Sequence, residues 1–183
     1  MRASTSLSLL LVACTPAARP DPVEVEPKPQ ILDVAGATVV DPPLAPMPPD
    51  AVIELTRTRC YGGCPAYEVS MDADGHVSWE GTAHVTRKGA ASWSVSAKAV
   101  EGLWQELDGL PWDRLPPSTG EAECPELFSD HPSFTLVVRA GGVSRGITHY
   151  TGCKGHPDYD ALGPVSHQVD FVADTEAAIG SRE

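Results

Sequence analysis

Ten of the eighteen prolines fall between Thr15 and Asp50, and this crowding decides how much of the chain is left to fold. Each proline fixes φ and removes a backbone donor. In runs such as Pro20-Asp21-Pro22, Pro27-Lys28-Pro29 and Asp41-Pro42-Pro43 there is no periodic apolar face to bury. Residues 15–50 therefore read as an extended tether in polyproline II, which rises about 3.1 Å per residue and spans several nanometres. Asp21, Glu24, Glu26, Asp33 and Asp41 repel one another along it and keep it open. A proline-rich recognition motif is the competing reading, and it lacks a repeated core. What remains is one core of ordinary size, expected over residues 51–176, with a tail at 177–183.

Ahead of the tether, Arg2 supplies a positive n-region and Ala3–Val12 a short run, apolar apart from Ser4, Thr5, Ser6 and Ser8. That is signal-peptide length, too short to span a bilayer. The run closes on Leu11-Val12-Ala13-Cys14, which resembles the lipobox of bacterial lipoproteins, with small residues before a cysteine that is acylated and becomes the new N-terminus. The resemblance implies lipidation of Cys14 and residues 1–14 as a lipoprotein signal; the competing reading is an ordinary signal peptide cut elsewhere. More than one acyl chain is needed for lasting attachment, and lipoprotein maturation supplies it. Thr15 follows, where aspartate would resemble an inner-membrane retention signal, so the expected location is the cell envelope, lipid-anchored at the outer membrane.

The formal net charge of -12 and pI near 4.8 leave no basic stripe to neutralise phosphates along a strand of DNA or RNA, so nucleic acid is not expected as a partner. The expected partners are the membrane, through the N-terminal lipid, and an envelope protein or ligand.

From Val52 the pattern changes. Ile53 and Leu55 alternate with polar residues, as do Tyr67, Val69 and Met71, then Val77 and Trp79 across the turn Asp72-Ala73-Asp74-Gly75. Ala83 and Val85, then Trp93 and Val95, predict one or two further short strands around Lys88-Gly89. Ser96 is placed to cap a helix whose Val100, Leu103, Trp104, Leu107 and Leu110 share a face, with Gly109 and Pro111 as stop signals. After an irregular stretch, Trp112–His131, the residues Phe134, Leu136 and Val138 read as a strand, Ala140-Gly141-Gly142 as a turn and Val143–Tyr150 as the return strand. A last helix is predicted with Pro164 at its first position and Val165, Val169 and Val172 facing inward. Two hairpin regions, each followed by a helix, predict an α+β fold. An antiparallel sheet carries two helices packed on it, since parallel pairing would need crossover connections.

With Cys14 lipidated, Cys60, Cys64, Cys124 and Cys153 remain, an even set that in an exported chain points to disulfides. Three pairings exist, and Cys60–Cys64 with Cys124–Cys153 is the preferred one. A bridge needs Cα atoms within about 7 Å, whereas an extended chain puts Cys60 and Cys64 roughly 13 Å apart, so Gly62 and Gly63 must turn it. Closing the loops stabilises by about 2 kcal/mol for the short bridge and about 3 to 4 for the long one. Zinc on four thiolates and a redox-active pair are the alternatives. The first lacks a close second knuckle, and in the second three residues intervene where C-x-x-C has two.

The segment Arg57-Thr58-Arg59-Cys60-Tyr61-Gly62-Gly63-Cys64-Pro65-Ala66-Tyr67, with Asp74-Gly75 and Val77 beyond it, resembles the opening motif of a bacterial family catalogued as domain of unknown function 6438. The core is cysteine-x-glycine-x-cysteine-proline-x-tyrosine, and the similarity runs diffusely from about Val52 to Asp174. The family brings no activity or catalytic residue with it, though its members often look like secreted lipoproteins.

No catalytic set, metal or cofactor is implied by the remaining residues. His76, His84, His131, His149, His156 and His167 show neither i, i+4 nor His-x-His spacing. Asp72–Gly75 lacks the distal glutamate of a calcium loop, and no Gly-x-Ser-x-Gly elbow occurs. Trp79, Trp93, Trp104 and Trp112 read as packing residues. The candidate ligand loop is the polar 124–160 region, with Asp130, His131, Tyr150 and His156 as its site residues. The expected function is a non-enzymatic envelope binding or structural module. The alternatives are an envelope-acting enzyme using those loops and an inhibitor of a secreted hydrolase.

Overall fold

The structure, a computed structural model, describes residues 46–119 and 124–180. Cys14, the expected signal sequence and most of the expected tether lie outside the described residues. Six strands form one antiparallel sheet: β1 (Val52–Arg57), β2 (Ala66–Asp72), β3 (His76–Ala83), β4 (Gly89–Ser94), β6 (Ser133–Ala140) and β7 (Val143–Tyr150). The helix α1 (Ala97–Asp108) follows β4, and β5 (Glu126–Leu127) precedes β6. Beyond β7 come β8 (Cys153–Lys154), the single turn α2 (Pro157–Asp160), the helix α3 (Leu162–Val172) and a last turn α4 (Glu176–Ile179). The spatial order is β4-β3-β2-β1-β6-β7, so the first strand lies between the three strands β2–β4 and the second hairpin. The fold is α+β and antiparallel, as the alternation implies.

The period-2 pattern explains which face is covered. Ile53 and Leu55 of β1 are fully buried, and register sets them beside Met71 and Val69 of β2 and Val138 and Leu136 of β6. Glu54, Thr56, Glu68, Ser70 and Glu80 fall on the opposite, more open face, where Glu54 pairs with Arg139. Onto the apolar face pack Val100, Leu103 and Leu107 of α1 and Leu162 and Val169 of α3, all in one cluster with the strand residues. Trp79 is buried, and Trp93, Trp104 and Trp112 are half-buried against that cluster. The indole N–H groups of Trp79, Trp93 and Trp112 each donate to a carbonyl, of Arg87, Ala173 and Leu107 respectively. The outer edge of β7 is covered by 117–119, where Thr119 N–H donates to Thr148 and Thr148 N–H to Pro117.

Four local expectations are corrected. Ser96 holds the N-cap position of α1, but its side chain makes no capping bond; its carbonyl accepts from Ala99 and Val100 instead. The last long helix starts at Leu162, two residues before Pro164, which fits because a proline anywhere in the first turn removes an N–H that has no intrahelical partner. Among the described residues of 112–131, Glu126 and Leu127 form the strand β5, which pairs with β8 beside the long disulfide. Of the expected tail, residues 177–180 are joined to the fold: Ala178 is buried, and the carbonyls of Ala178 and Ile179 accept from Arg87 and Thr86. At the other end, Met47 packs on the core and the Asp50 carboxylate accepts from Gly141 N–H, so the final residues of the proline-rich segment join the sheet.

Asp72 organises the first hairpin turn as a side-chain acceptor for the N–H groups of Asp74 and His76, which leaves this carboxylate committed to the turn. Gly75 is required there. Its φ is +82°, and a Cβ would meet the Val95 carbonyl at 2.4 Å.

Candidate functional site

Arg57 ends β1 on the face that Ile53 and Leu55 bury, so a guanidinium is carried into the edge of the core. A buried charge persists only when paired. Asp170 of α3 meets it: Arg57 Nη2 and Nε donate to Oδ2 at 2.6 and 3.0 Å, and each side chain is only 15% exposed. Arg57 also donates from Nη2 to Ser166 Oγ at 3.1 Å and from Nε to the Tyr67 hydroxyl at 3.0 Å. The Tyr67 hydroxyl in turn donates to Asp170 Oδ1 at 2.6 Å. Burial, and then the Asp170 charge, push the Tyr67 phenol far above its ordinary range. The cluster is a closed clamp that locks α3 onto the ends of β1 and β2.

Directly after Arg57 the chain leaves the sheet. Thr58 is tied to Ser133 by its N–H and by its hydroxyl, which accepts from Ser133 N–H at 2.8 Å. The next turn is closed by the Cys60–Cys64 disulfide, Cα atoms 5.5 Å apart, with Gly62 N–H donating to the Cys60 carbonyl and Gly62 at φ +146°. Tyr61 stands at the loop tip, 89% exposed. The chain re-enters at β2 through Pro65.

Beneath this loop lies a cleft of about 710 Å³, floored by Arg57 and bordered by His84 from the β3–β4 connection, His131 and Ser133 ahead of β6, Thr151, and His167 of α3. A second hollow of about 510 Å³ shares His84 and Ile179 with it and adds Arg59, Thr86 and Lys88. His84 itself is held at φ +51°, a left-handed backbone uncommon outside glycine. Gly180 lines the first cleft, and a Cβ there would meet Thr86 Oγ1 at 2.1 Å.

Of the four residues singled out in the 124–160 region, only His131 borders the cleft. The Tyr150 hydroxyl accepts from His131 N–H at 3.1 Å and donates to the Phe128 carbonyl at 2.8 Å, so it fixes the 128–131 turn. Asp130, in that turn at φ +67°, is exposed. His156 stacks on Tyr159 with ring centroids 3.9 Å apart, and its Nδ1 is buried without a hydrogen-bond partner. Sequence reasoning missed Arg57 and Asp170 as a pair, although one signal was present: a charged residue at the third inward position of the Ile53-Leu55-Arg57 alternation.

Cys124 pairs with Cys153, Cα atoms 5.3 Å apart, so both expected bridges are present. Four bridged sulfurs cannot serve as zinc thiolates, and among the described residues no three His, Cys, Asp or Glu side chains converge to hold a metal ion. Among the described residues, no helix is long and apolar enough to cross a membrane.

The model of a family described as Domain of unknown function (DUF6438) matches residues 51–163. Arg57, the disulfide loop and Tyr67 lie inside the match, and Asp170 lies beyond it. No curated protein matches the chain.

Proposed function

This chain belongs to the DUF6438 family, and from that premise we propose that it is a lipid-anchored cell-envelope protein whose domain is a binding module, with the cleft under the Cys60–Cys64 loop as its binding surface. The observation that carries the reading is the cleft, whose walls are fixed in advance. One wall is a five-residue disulfide loop, one is Ser133, tied to Thr58, and the floor is Arg57, held from behind by Tyr67 and Asp170. Preformed walls lower the ordering cost of binding, and an exposed aromatic on a rigid loop is the kind of side chain that anchors interfaces.

The lipobox-like Leu11–Cys14 and the tether support the envelope setting: acylation would hold the chain at the membrane while polyproline II sets the domain away from it. An enzyme built on the 124–160 loops draws less support, because the Tyr150 hydroxyl is engaged with backbone groups and His156 is stacked away on Tyr159.

The test is site-specific photo-crosslinking in intact cells, with the crosslinking residue at position 61 and, as control, at Val143, which is 59% exposed on the β6–β7 turn. The expected result is a discrete product from position 61 that disappears when Cys14→Ala removes the anchor. No product, or the same products from both positions, contradicts the proposal.

A further inference from the structure

The charges around the cleft run against the composition of the chain. The sequence holds 25 acidic side chains against 13 Lys and Arg, yet no carboxylate of a described residue lines the cleft or its neighbour, while Arg57, Arg59 and Lys88 line them together with His84, His131 and His167. Asp170, the acid that meets Arg57, is consumed by the clamp. Arg57 makes all its bonds to Tyr67, Ser166 and Asp170 through Nε and Nη2, so its Nη1 donors are not spent within the clamp. Arg59 and Lys88 are exposed, and neither forms an ion pair with a described residue.

We propose that the two hollows form one site for a phosphate-bearing ligand, bound by the charges of Arg59 and Lys88 and by Arg57 Nη1, with the imidazoles of His84 and His131 as further hydrogen-bonding groups and His167 in the wall beside them. The inference rests on the binding-module reading and names its ligand class. Two unpaired fixed cations match the charge of a phosphate monoester, and a guanidinium and an ammonium together supply directional and point-charge recognition of its oxygens. Concentrating cations in a hollow of an otherwise acidic protein also focuses the field where the anion must enter. The phosphate group could belong to a soluble sugar phosphate, a monoester with three terminal oxygens, or to a lipid headgroup, a diester with two and a smaller charge, and both present anionic non-bridging oxygens to the same donors.

The experiment uses the full lipidated chain in a non-ionic detergent and follows the histidine ring resonances during titration with inorganic phosphate, glucose 1-phosphate and soluble short-chain phosphatidylglycerol. Saturable shifts of the His84, His131 and His167 signals are expected, weakened at least tenfold in Arg59→Gln/Lys88→Gln, whose two positions are on the surface and leave the core intact. Stronger binding of glucose 1-phosphate than of the lipid assigns the soluble source, and the reverse order assigns the headgroup. No saturable response to any probe, or a response that the double substitution leaves unchanged, overturns the proposal. A position-61 crosslink that persists alongside such a failure would retain the binding module and remove only the phosphate.

Discussion

The two disulfides do opposite kinds of work. Cys124–Cys153 spans 29 residues and joins the irregular stretch after α1 to the far side of β7, with Cys153 buried in the main cluster and β5 paired to β8 beside it. Cys60–Cys64 spans 4 residues, only half-buried, and shapes one surface turn above the cleft. A long loop costs the unfolded chain more entropy when closed, so the first bridge stabilises the fold. The second contributes less to the fold's stability, about 2 kcal/mol at most, and sets the geometry of the surface it bounds. Rigidity at this end is local, and the buried Arg57–Asp170 clamp beneath it is what holds the loop's base to α3.

Several substitutions would break or sharpen this contrast. The largest effect is expected from Cys124→Ser with Cys153→Ser, a loss of about 3 to 4 kcal/mol in denaturant unfolding, carried by the whole domain. Next is Asp170→Ala, which leaves the Arg57 guanidinium buried without its counter-charge. Breaking a buried pair costs about 3 to 5 kcal/mol, and partial exposure reduces this to about 2 to 3. Cys60→Ser with Cys64→Ser should cost about 2 kcal/mol or less in the same measurement.

Tyr67→Phe removes one hydroxyl from the clamp and should cost about 1 kcal/mol near neutrality. It also carries a pH signature. The folded state raises the Tyr67 pKa through burial and the Asp170 charge, so the stability tied to the protonated phenol is complete below about pH 10 and is lost as pH rises beyond it. Alkaline unfolding curves of Tyr67→Phe should therefore fall less steeply than those of the parent. The smallest change in stability, within about 0.5 kcal/mol, is expected from Tyr61→Ala, because its side chain stands in solvent.

What the sequence disclosed and what it hid follow the same division. Wherever one face of a strand is buried, period-2 alternation marks it. Ile53-Leu55, Tyr67-Val69-Met71 and Phe134-Leu136-Val138 were all readable, and β7 runs from Val143 to Tyr150 as the pattern places it. The same holds for α1, whose apolar stripe needs no help from its neighbours. By contrast, β5 and β8 contribute two residues each, too short for any periodicity, and a disulfide holds them together. The start of α3 was displaced because a proline inside the first turn is as comfortable as one at its first position. The site was the least legible part. Arg57 and Tyr67 stood in the resembling motif without a role, their partner Asp170 lies 113 residues beyond Arg57, and the three histidines of the cleft come from three separate elements. Only tertiary packing brings such groups together, and no spacing along the chain encodes it.

The most direct test of the contrast is amide hydrogen exchange, read by mass spectrometry, in Cys60→Ser/Cys64→Ser. Loss of protection concentrated in residues 58–66 and 131–133 is the predicted result, with β1, β2 and β6 accelerating by no more than the roughly 30-fold that a loss of about 2 kcal/mol in global stability produces. Acceleration of the six-stranded sheet beyond that, equal to the change at 58–66, would contradict it, making the short bridge a support of the fold and not the frame of a binding surface.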